Sequence, residues 1–238
     1  MDAPIRYVAD LSHVREVSLR GTADLGFWTA RLGEENLAPV ERSGRAEVLI
    51  IAAEMTYMGI RFTEVSISLP VTVPGQGTRA AAFLVHAFNS CQFFAFCERR
   101  LFKTPYSHAD CHVSATGGAS VRISLRGETV FRAAMAPGSA ESSREPVRSG
   151  DDGWEGPVLL PRDRLGSAGD GRLFFGRIKG HTLAYPFERV RDEVAISPSK
   201  DTEVLQSLLD SGFAGEEWLV RADASHGKSK TYRRMDVF

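Results

Sequence analysis

The stretch Arg61-Phe-Thr-Glu64-Val-Ser-Ile-Ser-Leu-Pro70 decides how the rest of this 238-residue chain is read. Polar and apolar residues change places at each step, the period of a pleated strand. Phe62, Glu64, Ser66 and Ser68 therefore share one face, and Thr63, Val65, Ile67 and Leu69 share the other. Pro74-Gly-Gln-Gly77 is a turn by composition and predicts a hairpin with the apolar run Ala80 to Ala87. Upstream, Val48 to Ala53 is a continuous apolar run of strand length, followed by a turn near Met58-Gly59. Downstream the period switches. Asn89-Ser-Cys-Gln-Phe-Phe-Ala-Phe-Cys-Glu-Arg-Arg-Leu-Phe102 reads as a helix capped by Asn89 or Ser90. Phe93, Phe94, Phe96 and Cys97 give it a broad apolar face turned to the core, and Pro105 enforces its stop.

Working outward, Arg15 to Leu19 is a short strand, and Leu25, Trp28 and Leu32 mark a helix from about Asp24. Asp110–Ala115, Ser120–Leu125 and Thr129–Met135 form an antiparallel meander, with Gly117-Gly118 and Arg126-Gly127-Glu128 as its turns. Pro137 to Gly156 is rich in Ser, Gly, Glu and Arg with almost nothing to bury, so 137–156 is expected as a flexible surface loop. Strands follow at Pro157–Leu160, Arg172–Ile178 and His181–Phe187. A helix capped by Ser199 or Asp201 then runs to about Ser211 and stops at Gly212. The stretch 222–238, with Lys228, Lys230, Arg233 and Arg234, is expected as a solvated polar tail. The sum is a single α+β domain over 1–238. Its mainly antiparallel sheet closes, or nearly closes, into a barrel or cone around a cavity with a few flanking helices, since closure removes exposed edges.

Composition sets outer bounds. With 43% hydrophobic and 25% charged residues the chain can bury a sizeable core. A formal charge of −1 gives no electrostatic reason to expect nucleic acid or an anionic membrane as partner. No apolar run approaches the ~20 residues that cross a bilayer. The start Met-Asp-Ala-Pro-Ile-Arg lacks the basic opening and apolar stretch of a signal peptide. Cys91, Cys97 and Cys111 show no metal-like spacing and fit a reducing compartment. A soluble cytoplasmic protein acting on a small molecule, without a cofactor, is the expectation.

Two segments taken together, Phe62-Thr63-Glu64 on its strand and Lys103-Thr104-Pro105-Tyr106-Ser107-His108 after its helix, resemble the acetoacetate decarboxylase-like superfamily. Catalytic members place a Tyr-Thr-Glu strand before a helix that ends in a Pro-Lys-Lys turn. Here Tyr106 and Ser107 stand where the lysines belong, and neither side chain forms an imine. By alternation alone Val65 faces the core and Glu64 faces water. The resemblance implies the opposite: Glu64 looks into an interior chamber, where desolvation raises its pKa and suits it to acid–base work. It also implies that Arg20, in Val17-Ser-Leu-Arg20-Gly21, holds a substrate carboxylate through both oxygens, with Arg15 and Arg31 as alternatives. A homo-oligomer is implied as well.

The site expected from these residues has Glu64, Tyr106 and His108 in catalytic roles and Arg20, Phe62 and His112 in substrate binding. In an extended chain His108, Asp110 and His112 share one face, and two imidazoles with a carboxylate suit a divalent metal. Alternate side chains stand about 7 Å apart, however, so an acid–base or hydrogen-bonding role, or none, is expected there rather than a metal. His86, on an apolar strand, is expected as a core histidine. The expected function is a small-molecule enzyme working without a Schiff base. Its substrate is keto, enol or carboxylate-bearing, of polyketide type, and its acid–base chemistry is isomerisation, cyclisation, dehydration or lyase cleavage. One alternative makes Lys103 a displaced Schiff-base amine in a decarboxylase or aldolase; the other is a ligand-binding protein without catalysis.

Overall fold

A computed structural model describes residues 5–75, 81–116, 118–136, 144–162, 171–198 and 202–237. Strand β1 (Tyr7–Ala23) leads into helix α1 (Leu25–Gly33), whose N-terminus is capped by the Asp24 carboxyl accepting the Phe27 N–H at 2.6 Å. The short bridges β2 (Ala38–Pro39) and β3 (Glu41–Arg42) precede the long hairpin β4 (Arg45–Tyr57) and β5 (Ile60–Thr72). Met58 and Gly59 close it with φ of 51° and 79°, both in the left-handed region that a tight two-residue hairpin turn requires. β6 (Ala81–Asn89) pairs antiparallel with β5, as the alternation predicts.

Helix α2 (Gln92–Cys97) continues into a π-helical turn (Glu98–Phe102), and then come β7 (Tyr106–His108) and β8 (Asp110–Ser114). The meander continues through β9 (Ser120–Leu125) and β10 (Glu128–Ala134). The remaining elements are β11 (Arg148–Leu159), β12 (Arg172–Pro186), β13 (Glu193–Ile196), α3 (Glu203–Asp210), β14 (Ala214–Ser229) and β15 (Tyr232–Arg233). No helix of the described residues is long and apolar enough to cross a membrane.

Seven strands run in the order β5-β4-β1-β14-β12-β11-β6, and β6 pairs back onto β5. This nearly closed ring is antiparallel throughout except at β11–β6, a parallel seam held only by Val158 opposite Ala82 and Leu159 opposite Phe83. A second sheet, β13-β10-β9-β8, lies apart. Val17, Ile50, Val65, Ile67 and Trp218 on one face of the ring form a single apolar cluster with Val121, Ile123 and Phe131 of the second sheet. Trp28 of α1 and Leu205 of α3 join the same cluster. The Val65 face of β5 thus packs against the second layer. The architecture is α+β, mostly β.

Several expectations are corrected. β6 runs through Asn89, so neither Asn89 nor Ser90 caps α2. The Asn89 side-chain oxygen Oδ1 instead accepts the Cys91 N–H at 2.8 Å, and the Ser90 hydroxyl accepts the Thr63 N–H at 2.8 Å. The π turn ends at Lys103, which is left-handed with φ of 57°, before Pro105 is reached. Phe93 and Phe96 are not core: they are 62% and 51% exposed, because so short a helix can turn only one side inward. That side carries Phe94, packed on Phe62 and Tyr57 at ring-centre distances of 4.9 and 6.0 Å.

In the expected loop, residues 148–156 belong to β11, which pairs there with β12 alone; among the described residues no strand pairs with its other edge, in keeping with its alternating exposure. Residues 137–143 lie outside the described part. Arg172 to Pro186 is one strand rather than two: a register shift after Gly180 absorbs the irregularity without a turn. Ser199 and Asp201 lie outside the described residues, and Thr202 precedes α3, which ends at Gly212 with φ of 59° as expected. The expected polar tail is the largest correction. Residues 222–229 lie in β14, hydrogen-bonded between β1 and β12.

Candidate active site

Glu64 sits on β5 opposite Asn89 of β6. The Asn89 amide donates to Glu64 Oε2 at 3.3 Å, and the Tyr106 hydroxyl, from β7, donates to Oε1 at 2.9 Å. Lys228 of β14 places Nζ 5.4 Å from the centre of the Tyr106 ring. β5 and β14 are separated around the ring by β4 and β1 on one side, and by β6, β11 and β12 on the other. Side chains from these two arcs meet at Tyr106. Glu64 therefore lies with Tyr106 and Lys228 on the face of the ring opposite to the Val65 face, which packs against the second sheet.

The enclosure sets the chemistry. Burial raises the Glu64 carboxyl above its ordinary 4.5; the positive charge of Lys228 and the Tyr106 bond pull it back, while Glu98 pushes it further up. Burial also lifts the Tyr106 phenol well above its ordinary 10.0, helped by the negative charges of Glu64 and Glu98. Tyr106 consequently stays a hydrogen-bond donor through the physiological range.

Lys228 brings a cation to this cluster. Its ammonium lies 2.5 and 2.6 Å from the two carboxyl oxygens of Glu98, on the π turn. It stands over the ring faces of Phe174, Tyr106 and Phe102 at 4.7, 5.4 and 5.7 Å. The Thr104 hydroxyl fixes Glu98 with a 2.7 Å bond. Apolar walls come from Leu84, Ala87, Val158, Leu160 and Phe174, which cluster with Tyr106.

Next to this group lies a second polar knot. Glu16 of β1 is fully buried, ion-paired with Arg221, and accepts from Ser18 at 2.8 Å and His226 Nε2 at 2.6 Å. Burial alone raises its pKa, but the His226 and Arg221 charges and the bonds from His226 and Ser18 outweigh that and hold it below the ordinary 4.5. A carboxylate with a lowered folded pKa adds stability that is present above the unfolded value and lost as pH falls through the folded one. Glu16→Gln is expected to lower the urea midpoint at neutral pH and to narrow its gap from the wild type below about pH 4. A gap that stays constant through the acid range contradicts the ion pair.

The remaining expected site residues divide. Phe62 shares the Glu64 face of β5 and supports α2 through Phe94. Arg20 is ion-paired with Glu217 of β14, and its described contacts include neither Glu64 nor Tyr106. Arg15 pairs with Glu54 at 3.2 Å and Arg31 with Glu203 at 2.8 Å. His108 ends β7 exposed, opposite Asn89, whereas Asp110 and His112 belong to β8 in the other sheet, both exposed. The three residues do not share one face, because the chain changes sheets at buried Ala109. The described residues hold no group of three metal-ligating side chains. Lys103 is exposed. Ser107 turns away from Glu64 to meet His86 Nε2 at 3.1 Å, and burial lowers the His86 pKa to about 4.

Asn89, Glu98, His226 and Lys228 escaped the sequence. A signal for the last two existed: in Ala224-Ser-His-Gly-Lys-Ser-Lys230 small residues alternate with large polar ones at the strand period. Its polarity made it read as a tail, yet a strand lining a polar chamber carries that pattern. Glu98 and Asn89 carry no comparable mark, since their roles follow from register and from the π turn.

No protein-family model matches the chain, and no curated protein matches its sequence. Solved structures do match it in shape. The crystal structure of acetoacetate decarboxylase from Legionella pneumophila is similar over 99% of this chain and 94% of that one, with a TM-score of 0.64 and 14% identity. A second structure of acetoacetate decarboxylase is similar over 94% and 88%, with a TM-score of 0.62 and 12% identity. An acetoacetate decarboxylase-like enzyme from Sphingomonas wittichii RW1 is similar over 94% and 91%, with a TM-score of 0.58 and 15% identity. The chain has the acetoacetate decarboxylase fold.

Proposed function

We propose that this protein is a small-molecule enzyme that moves protons on a keto, enol or carboxylate-bearing substrate, without an imine at the turn after α2. The observation that carries the proposal is the half-buried carboxyl of Glu64 held by the Tyr106 phenol at 2.9 Å. A carboxyl with a raised pKa is a stronger base when ionised and remains a usable acid nearer neutrality. Tyr106 and Ser107 supply no amine, and Lys103 lies exposed on the left-handed residue that ends the π turn. Isomerisation, cyclisation and dehydration of a polyketide-type β-dicarbonyl compound can begin with proton transfer from the carbon beside a carbonyl, and lyase cleavage ends with proton transfer to it. The likeness of fold to decarboxylases supports a site of this kind.

The test is a panel of β-keto acids, β-keto esters and β-diketones followed by proton NMR in deuterated water, with borohydride added in parallel. Enzyme-dependent deuterium uptake or conversion, with no lysine mass shift after borohydride, is the expected result. A reduced adduct on Lys103 contradicts the proposal. Tyr106→Phe is expected to lower turnover about ten- to a hundredfold, the value of one hydrogen bond to a charged group. Since the Tyr106 bond lowers the Glu64 pKa, the same variant should move the acid limb of the pH–rate profile upward. An unmoved limb separates Tyr106 from Glu64.

A further inference from the structure

We propose that Lys228 is the oxyanion-binding residue of this chamber, an ammonium placed to receive the charge of an enolate formed from a β-dicarbonyl substrate. The proposal deepens the acid–base reading of Glu64 and takes its ligand class from it. Lys228 lies on β14 opposite Gly176 of β12, and its ammonium stands over the Phe174, Tyr106 and Phe102 rings. An ammonium carries three N–H donors. The two Glu98 oxygens, at 2.5 and 2.6 Å, account for two of them. The faces of Phe174, Tyr106 and Phe102 attract the charge but offer no lone pair, so none of the described oxygens takes the third donor.

That third donor shares the chamber with the Glu64–Tyr106 pair, and the two charged side chains act on each other strongly enough for Lys228 to lower the Glu64 pKa. Glu98 and the three rings hold the nitrogen in place at a partly buried position, and a fixed donor there is worth more to a developing charge than a free one in water. In the step itself the carbon between two carbonyl groups loses its proton to the Glu64 carboxylate. The C–H bond breaks, an O–H bond forms on Glu64, and the electron pair spreads onto a carbonyl oxygen. The third N–H of Lys228 hydrogen-bonds that oxygen. The nitrogen keeps all its protons, and no carbon–nitrogen bond forms. Glu98 has a matching role: its two oxygens fix the ammonium and aim its remaining donor.

Acetylacetone is a direct probe, because its enolate absorbs at longer wavelength than the neutral molecule. Titrating the full chain at neutral pH should give a saturable enolate band. Lys228→Met keeps an unbranched stem among the rings and should weaken that apparent affinity about tenfold or more, the value of a hydrogen bond between charged partners. Lys228→Arg should retain most of it, and circular dichroism of both variants should match the wild type. An undiminished band in Lys228→Met overturns the proposal. So does the absence of any band in the wild type, or a borohydride-stable adduct on Lys228. Repeating the titration with Glu64→Gln at mildly alkaline pH, where free enolate is supplied by the solvent, separates the two roles. A band that survives there and still needs Lys228 upholds the anion site whatever becomes of Glu64.

Discussion

Glu64→Gln is expected to cut turnover by about 10²- to 10⁴-fold, the usual worth of a positioned acid–base group, while leaving the fold intact. The amide has nearly the same shape and still offers an oxygen to the Tyr106 hydroxyl, so the chamber keeps its geometry. It cannot take up or release a proton. Stability should not fall with it. Burial raises the Glu64 pKa, so the group favours the folded state below its unfolded value and loses that contribution as pH rises through the folded one. A neutral amide removes the cost of the buried charge, and the variant should unfold at an equal or higher urea concentration than the wild type at neutral pH. Steady-state kinetics beside a urea curve reads both quantities. Unchanged turnover takes Glu64 out of the mechanism.

Asp192→Ala is expected to cost about 3–5 kcal/mol of folding stability, the range for removing one partner of a buried ion pair. The Asp192 side chain is wholly enclosed, and its partner Arg144 is 9% exposed. Arg144 donates to it at 2.8 and 3.0 Å, the backbone N–H groups of Ala136 and Glu188 at 3.0 Å each, and Trp218 Nε1 at 3.0 Å. One carboxylate thus joins the end of β10, the connection after β12 and the ring strand β14. Burial alone raises its pKa, but these donors outweigh it and hold it below the ordinary 3.8. Its contribution is therefore present above that value and lost as pH falls through the folded one. Alanine leaves the guanidinium buried with part of its charge unanswered. A urea-unfolding difference under about 1 kcal/mol shows that Asp192 does not hold this junction.

Most of the fold was legible where local chemistry and global closure agree. Alternation in Phe62 to Leu69, the Met58-Gly59 turn and the meander from Asp110 to Met135 each name their element without outside help. The face of Glu64 was not legible from alternation. In a half-buried sheet the apolar face is inside and the polar face meets water. Here both faces of the ring are covered in part: the Val65 face packs against the second layer, and the opposite face gathers Glu64, Tyr106 and Lys228. The same covering hid Lys228 and His226, whose polar strand reads as a solvated end until β14 is seen between β1 and β12. Phe93 and Phe96 misled in the other direction, because apolar composition does not reveal which side of a very short helix has a neighbour.

Carbon-13 NMR titration of the Glu64 side-chain carboxyl, assigned by its loss in Glu64→Gln, tests the enclosed acid–base site most directly. A midpoint above the ordinary 4.5, rising further in Tyr106→Phe, is the result expected of a carboxyl kept from water and held by a phenol. A midpoint at or below 4.5, unmoved by loss of the Tyr106 hydroxyl, contradicts it.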